Sequence, residues 1–520
     1  MKTIKICLML IGITMFSCSD DFLENEPVAG YFQENFYQTK EQVFEGLVAA
    51  YDPLQWSFYG GNWVNIVMMG EIRSDNANAG GGSATDQAGW QALDDFTNTP
   101  NTGESLNYWA RNFAGIYRCN LIINLNKPEL DIAAYQAEAK FLRAWYYFDL
   151  FRTYGPVPIV ETTAFPEGYS PKRASLDETL DYIVKDLEAA AQALPEVDGY
   201  DASFKGRATR GAANALLGKV YLYWADWNND DKAKFDKAAE YLKKVVTSGK
   251  YALYADYKQL FSPAAENSSE SIFEIQHSNL SKVGGEGWGN GALIDGNLAI
   301  QLCGIRGLQN NSLYVEGWGF CLPTKNLFDT FEPEDTIRRA AAIITEAELT
   351  AAGSTFAKAE GYNSEDYTGM WQKKYANLAA YVAIGGDANL NKSGNVRVIR
   401  YADVLLMLAE ALHRGNGTQA EALAYINLVR RRGIDHDKDG VFRTAEQLMA
   451  SKGWGLLQVI WYERRIEFAL EGDRWFDLVR SGRANATMFG SQFDDTDVYL
   501  PIHQQETQIS NGSLTTFPAN

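Results

Sequence analysis

Histidine is scarce in this chain: 520 residues hold four, at positions 277, 413, 436 and 503. None stands at a metal-hydrolase spacing such as His-Glu-x-x-His, so the sequence offers no such site. Cysteine is nearly as rare, with five. Cys7 and Cys18 fall in the N-terminal segment, which leaves Cys119, Cys303 and Cys321. An odd number does not build a disulfide framework; free buried thiols are expected, with a Cys303–Cys321 bridge left open. Basic residues are in deficit. Against 66 Asp and Glu stand 47 Lys and Arg, a formal charge of −19. Such a surface repels phosphate backbones, so nucleic acid is not expected as a partner. Neither a Gly-x-Ser-x-Gly elbow nor a phosphate-binding loop occurs.

Long hydrophobic runs are also missing, and the one short run is informative. Lys2 and Lys5 precede an apolar stretch from Ile6 to Phe16 that is too short to span a bilayer as a helix. It closes in Met15-Phe16-Ser17-Cys18, a small residue followed by Cys, as in a bacterial lipobox. Residues 1–17 read as a lipoprotein signal peptide and Cys18 as the acylated residue. The alternative is an ordinary secretory signal with an incidental cysteine. Ser19-Asp20-Asp21 follows, and resembles the acidic signal that sends lipoproteins to the cell surface.

What the chain has in quantity is aromatic residues, 13% of the total, and helical periodicity. Lys40 to Tyr51 and Leu106 to Leu125 read as helices, separated by a Gly-, Asn- and Asp-rich stretch, Arg73 to Gly103, too polar for core. Ala134 to Phe151 is an Ala-rich helix stopped by Tyr154-Gly155-Pro156. Ser175 with Glu178 forms a capping box for the next. Leu217-Gly218-Lys219-Val220-Tyr221 fits the Leu-Gly-x-x-Tyr element of a tetratricopeptide repeat. Three helical pairs follow from the pattern: Thr209–Trp227 with Phe235–Thr247, Arg400–Arg414 with Thr418–Arg432, and Leu176–Leu194 with its predecessor. Tyr254 to Asn395 differs. Ser271 to Gln276 alternates like a strand, and the stretch around Gly284–Gly291 is rich in glycine and tryptophan, the composition of a functional loop.

Trp461 to Arg480 carries the densest chemistry. Leu456, Val459, Ile460, Ile466 and Leu470 mark a buried helical face, and Glu463 and Glu467 fall on it. Read as enzyme, the two carboxylates would flank a glycosidic bond. Read as structure, they must be paired with arginine, for which Arg464, Arg465, Arg474 and the Arg400 helix are candidates. The structural reading is preferred. A second motif, Asp435-His-Asp437-Lys-Asp439-Gly440 with Glu446, satisfies an EF-hand pattern in which Val441 offers its carbonyl to a structural Ca²⁺. Arg443 at the ninth position is against it. A solvated linker ending in a Thr444–Gln447 capping box is the other reading.

The Asp20-Asp21 lipobox, Phe141–Pro158, Arg400–Ala411, Glu463–Arg480 and Leu500-Pro-Ile502, in that order, resemble the SusD/RagB family. His503 departs from it, where proline is common. The resemblance implies a non-catalytic outer-membrane lipoprotein that binds glycans, occasionally peptides, and lids a SusC-like TonB-dependent transporter. It also implies that helical repeats scaffold the fold while loops hold the ligand. A sugar needs an aromatic platform and polar partners; Trp90, Trp288, Tyr314 and Trp318 are the candidate rings. Arg73 and Asp75, in a stretch resembling the family's ligand face, are the candidate hydroxyl partners. Trp56, Trp63 and Trp371 are assigned to the scaffold. The expected fold is mostly α with minor β: tetratricopeptide-like hairpins in 18–253, a loop-rich ligand lobe carrying short strands in 254–395, and a helical region in 396–520. The expected function is oligosaccharide capture and delivery to the transporter. A peptide-binding lid, a repeat scaffold for protein partners and a glycoside hydrolase remain as alternatives.

Overall fold

The computed structural model describes residues 36–59, 62–290, 293–357, 366–382, 385–434 and 443–517. Helices carry the architecture: α1 (Lys40–Tyr51), α2 (Gly103–Ile123), α3 (Ala133–Tyr154), α4 (Leu176–Ala193), α5 (Arg210–Trp227), α6 (Lys232–Thr247), α7 (Tyr401–Arg414), α8 (Gln419–Gly433), α9 (Leu456–Glu467) and α10 (Arg474–Arg480). Their ends have local causes. Thr39, Ser175 and Thr418 cap α1, α4 and α8 in boxes with Gln42, Glu178 and Glu421, satisfying amides that a first turn leaves unpaired. α3 stops where Gly155-Pro156 follows Tyr154.

The helices stack in a row. α1 lies on α2 and α3, α2 on α3, α3 on α4, α4 on α5, and α5 on α6. A Cβ on Gly218 would stand 2.4 Å from Leu242 Cγ, so glycine is what lets α6 approach α5 this closely. Tyr221 stacks on Tyr241 beside it, centroids 5.7 Å apart. Then α6 packs on α7, and α7 on α8 and α9. The three expected pairs are therefore present. The α6–α7 contact joins them across the whole intervening lobe, and no local pattern announces it.

Among the described residues the strands form two-stranded ribbons, three of which matter here. β1 (Phe58–Tyr59) pairs with β2 (Asn62–Trp63), β3 (Ala77–Gly80) with β5 (Phe320–Pro323), and β4 (Ser271–Ile275) with β6 (Val396–Arg400), all antiparallel. The β4–β6 ribbon, Ile275 opposite Val396, is where the lobe leaves the helical array and returns to it. One large core takes residues from both ends of the chain and from the lobe. Cys119, Cys303 and Cys321 are free and buried. No described helix is long and apolar enough to cross a membrane.

Two expectations are corrected. The stretch after Ile72 is not all too polar for core. Arg73, Ser74, Asn76, Ala77 and Ala79 are buried, and so is Trp90. Strand pairing with β5 satisfies the backbone, and Arg465 and Arg474 reach in to Asn76 and Asp75. Polarity alone misjudges burial when the partners come from 390 residues away.

The second correction concerns the partners of Glu463 and Glu467. Both carboxylates are fully buried and ion-paired, as the structural reading requires. Glu463 meets Arg338 at 2.9 Å and Arg430; Glu467 meets Arg400 at 3.0 Å, Arg338 at 3.5 Å and Arg432. Of the nominated arginines only Arg400 serves. Arg464 turns to Asp403 and Asp477, while Arg465 and Arg474 share Asp75. Adjacent residues on a helix point to different faces, which is why i+1 neighbours are poor guesses. The pairs continue as a chain. Arg480 joins Glu410, Asp226 and Asp477, and Lys219 joins Asp403 and Asp473. Arg152 then links Asp473 to Asp149, and Arg111 closes on Asp149. The α9–α10 segment is thus tied ionically to α2, α3, α5, α7 and α8.

Between α9 and α10 the chain turns at Gly472, whose φ is +96° and whose amide donates to Glu71 Oε1 at 2.7 Å. A Cβ there would meet Val67 Cα at 2.9 Å, in a conformation L-residues rarely adopt. Gly472→Ala is expected to destabilise the protein by about 2–4 kcal/mol through strain and overpacking. A urea melt of the variant reads this as a lowered midpoint.

Candidate functional site

Trp288 ends a 3₁₀ turn, Gly285–Trp288, in the glycine-rich part of the lobe. Trp318 lies just before β5. Sequence alone gives no reason for them to meet, but their rings stack with centroids 5.9 Å apart and planes 29° apart. Both are half-buried, so part of each ring faces solvent. Underneath stands Trp63 of β2, edge-on to Trp288 at 6.1 Å and to Trp318 at 5.7 Å. Phe58 of β1 packs on Trp63 in turn, at 5.0 Å. Trp63 is scaffold, as expected, and the scaffold it provides is that of the candidate site.

Polar contacts fix the ring of Trp288 and the backbone of Trp318. Trp288 Nε1 donates to Asp387 Oδ2 at 2.7 Å. Asp387 is itself held, its amide donating to Val283 O at 2.8 Å and its Oδ1 accepting from Asn389 N. For Trp318, the amide donates to Gln301 O at 2.9 Å and the carbonyl accepts from Arg306 Nη1 at 3.0 Å. Arg306 and Asp86 stand 4.0 Å apart, each about 31% exposed in its side chain, and Asp86 Oδ2 accepts from Gly82 N at 2.7 Å. Partly exposed rings beside a partly exposed carboxylate and guanidinium can stack on a sugar face and hydrogen-bond its hydroxyls. Arg306, Asp86 and Asp387 were not read from sequence. They lie in loops whose partners are distant along the chain, so no spacing marks them.

The other candidates are placed elsewhere. Trp90 has no exposed surface and offers no ring face. Tyr314 is 7% exposed and packs with Trp371, Ile305 and Leu308 in a small core of the lobe. Arg73 is buried, its guanidinium 4.3 Å over Trp475 while it donates to the Asp497 carbonyl. Burial pulls its pKa down to about 9. Asp75 accepts from Arg474 at 2.7 Å and is paired with Arg465 at 3.1 Å. Burial opposes ionisation of Asp75, but the Arg474 hydrogen bond prevails and its pKa falls below the usual value. These four are held by the fold because charge and ring alike find partners inside it.

Neither carboxylate of the hydrolase alternative, Glu463 or Glu467, has an exposed face with which to reach a glycosidic bond. Of the calcium-like loop, Asp435, Asp437, Asp439 and Val441 lie outside the described residues; Cys18 does too. Glu446 is described. Its Oε2 accepts from Asn427 Nδ2 at 3.0 Å, and the Thr444–Gln447 capping box is formed.

Known proteins give this geometry its context. Residues 269–496 match the family model described as SusD family, and residues 21–222 match one described as starch-binding and associating with the outer membrane. A SusD-like protein of Formosa agariphila is 26% identical over 99% of both chains. A laminarin-binding SusD-like protein superposes with a TM-score of 0.78 at 31% identity, covering 93% of this chain and all of its own. Surface glycan-binding protein A of Bacteroides thetaiotaomicron, solved with laminarihexaose, gives a TM-score of 0.77 at 27% identity, over 92% of this chain and 99% of its own. The two structural relatives are named as binding proteins. Sequence motifs in order, the helical array and these matches lead to one conclusion: the chain belongs to the SusD family.

Proposed function

We propose that this protein captures oligosaccharide on the Trp288–Trp318 pair and delivers it to a SusC-like TonB-dependent transporter, with no bond made or broken. The observation that carries the reading is the pair itself, two half-exposed indoles stacked on each other and fixed by Asp387, Gln301, Arg306 and Trp63. Rings already held in place lose little freedom on binding, which favours affinity. The laminarin of two structural relatives makes it the first glycan to try. The N-terminal segment supports attachment to the outer membrane through Cys18, facing the cell surface. The reading is tested by calorimetry against laminarin and by co-purification of a TonB-dependent transporter from native membranes. Preference for a peptide over every glycan screened would replace it.

From the EF-hand pattern we also propose that Asp435, Asp437, Asp439, the Val441 carbonyl and Glu446 would hold a structural Ca²⁺ in the loop before α9. Addition of Ca²⁺ after chelation is expected to raise the melting temperature. An unchanged temperature removes the ion from the account.

A further inference from the structure

A second cleft, of about 920 Å³, opens beside the β3–β5 ribbon and is lined mostly by side chains outside the ring pair and the ionic network. It lies at the opposite end of the short helix Ala88–Asp94 from the tryptophans. Before that helix, Asp86 faces Arg306, which holds Trp318; after it, Asp94, Asp95 and Phe96 line the cleft. A seven-residue helix, a rise of about 10 Å, stands between Asp86 and Asp95.

We propose that this cleft is a second saccharide subsite, taking an uncharged pyranose segment of the polymer whose other part lies on the Trp288–Trp318 pair. The inference rests on the proposed function and extends it. Three observations support it. The walls mix groups suited to vicinal hydroxyls: carboxylate oxygens of Asp95 as acceptors, and amides of Asn326 and Gln492. Phe96 and Phe489, rings 5.2 Å apart and both half-buried, supply apolar surface for a sugar face. Arg483 stands over Trp461 at 4.3 Å, donating to Ser481 Oγ at 2.7 Å. Its Nη2 also donates to the Asp477 carbonyl at 3.3 Å, which leaves Nη1 for a neutral acceptor.

The charge balance selects among glycans. Asp75 and Asp95 line the cleft with Arg465 and Arg483, Arg465 is committed to Asp75, and burial pushes the Asp94 carboxyl up toward its neutral form. With no cationic excess, the lining gives sulfated or uronic chains no net attraction and suits neutral ones. Occupying two linked subsites raises affinity for a polymer over a short oligomer, because the second contact is intramolecular.

The test compares laminarin polysaccharide with laminaribiose, too short to span both places, by calorimetry on the full chain and on Asp95→Ala/Gln492→Ala. Both changed residues are exposed, so the melting temperature is expected to hold. The polysaccharide Kd is expected to rise at least tenfold while the disaccharide Kd stays within twofold. An unchanged polysaccharide Kd overturns the subsite. Binding of dextran sulfate that is lost in Arg483→Gln overturns its assignment to neutral sugars. Trp288→Ala/Trp318→Ala separates the two readings: wild-type affinity in that variant defeats the platform and says nothing against the cleft. Should the wild type bind neither laminarin probe, a crystal soaked in glucose decides. Ordered glucose against Asp95 and Gln492 sustains the subsite, and a cleft without it overturns it.

Discussion

Glu467→Ala is expected to lower the stability of the protein by about 3–5 kcal/mol, the cost of removing one member of a buried charge cluster. The carboxylate is fully buried and meets Arg338, Arg400 and Arg432. Its loss leaves their positive charges facing one another with fewer counter-ions. The expected readout is a lower urea midpoint with an unchanged slope, and glycan affinity equal to wild type in whatever fraction remains folded. A variant that folded normally and lost a hydrolytic activity would instead restore the enzyme alternative.

The same residue sets an acid limit. Burial raises the pKa of Glu467, but Arg432, Arg400 and Arg338 outweigh it and hold the group at about 2. In the unfolded chain a glutamate titrates near 4.3, at about its ordinary value. The folded pKa is depressed, so the contribution is fully present above about pH 4.3 and is lost as pH falls through about 2. Glu410, held at about 2 by Arg480 and Arg414 against its burial, adds in the same window and with the same sign. Unfolding midpoints measured from pH 6 to 2 are expected to fall chiefly below 4.5. A flat profile there would mean the cluster is not ionised in the fold.

Trp288→Ala with Trp318→Ala carries the second large effect. Central aromatic contacts in binding sites cost about 2 kcal/mol or more on truncation, so the pair is expected to weaken glycan binding at least 100-fold. Because both rings are half-exposed, the fold should tolerate their loss better than that of Trp63, which is 6% exposed beneath them. Trp63→Ala is expected to lower both affinity and melting temperature. Asp387→Asn keeps an acceptor for the indole N–H and serves as the conservative comparison. Undiminished binding by the double variant would move the ligand elsewhere on the surface.

Much of this protein can be read along the chain because it is local. The capping boxes at Ser175 and Thr418, the stop at Gly155-Pro156, and the repeat element around Gly218 are each decided within a few residues, where backbone hydrogen bonds are won or lost. The burial of Glu463 and Glu467 follows from helical period, and the demand for cationic partners follows from the cost of an unpaired charge. Five motifs in order were enough to indicate the family. Which cations answer Glu463 and Glu467 was decided only in three dimensions, by Arg338 of the lobe and Arg430 and Arg432 of α8. So was the fate of the aromatic candidates. Trp90 and Trp288 are alike as letters, but one fills core and the other reaches solvent, since exposure depends on what packs above a ring and not on its neighbours in sequence. The site exists because β2, the glycine-rich turn and the segment before β5 converge, and convergence of distant segments leaves no periodic trace in any one of them.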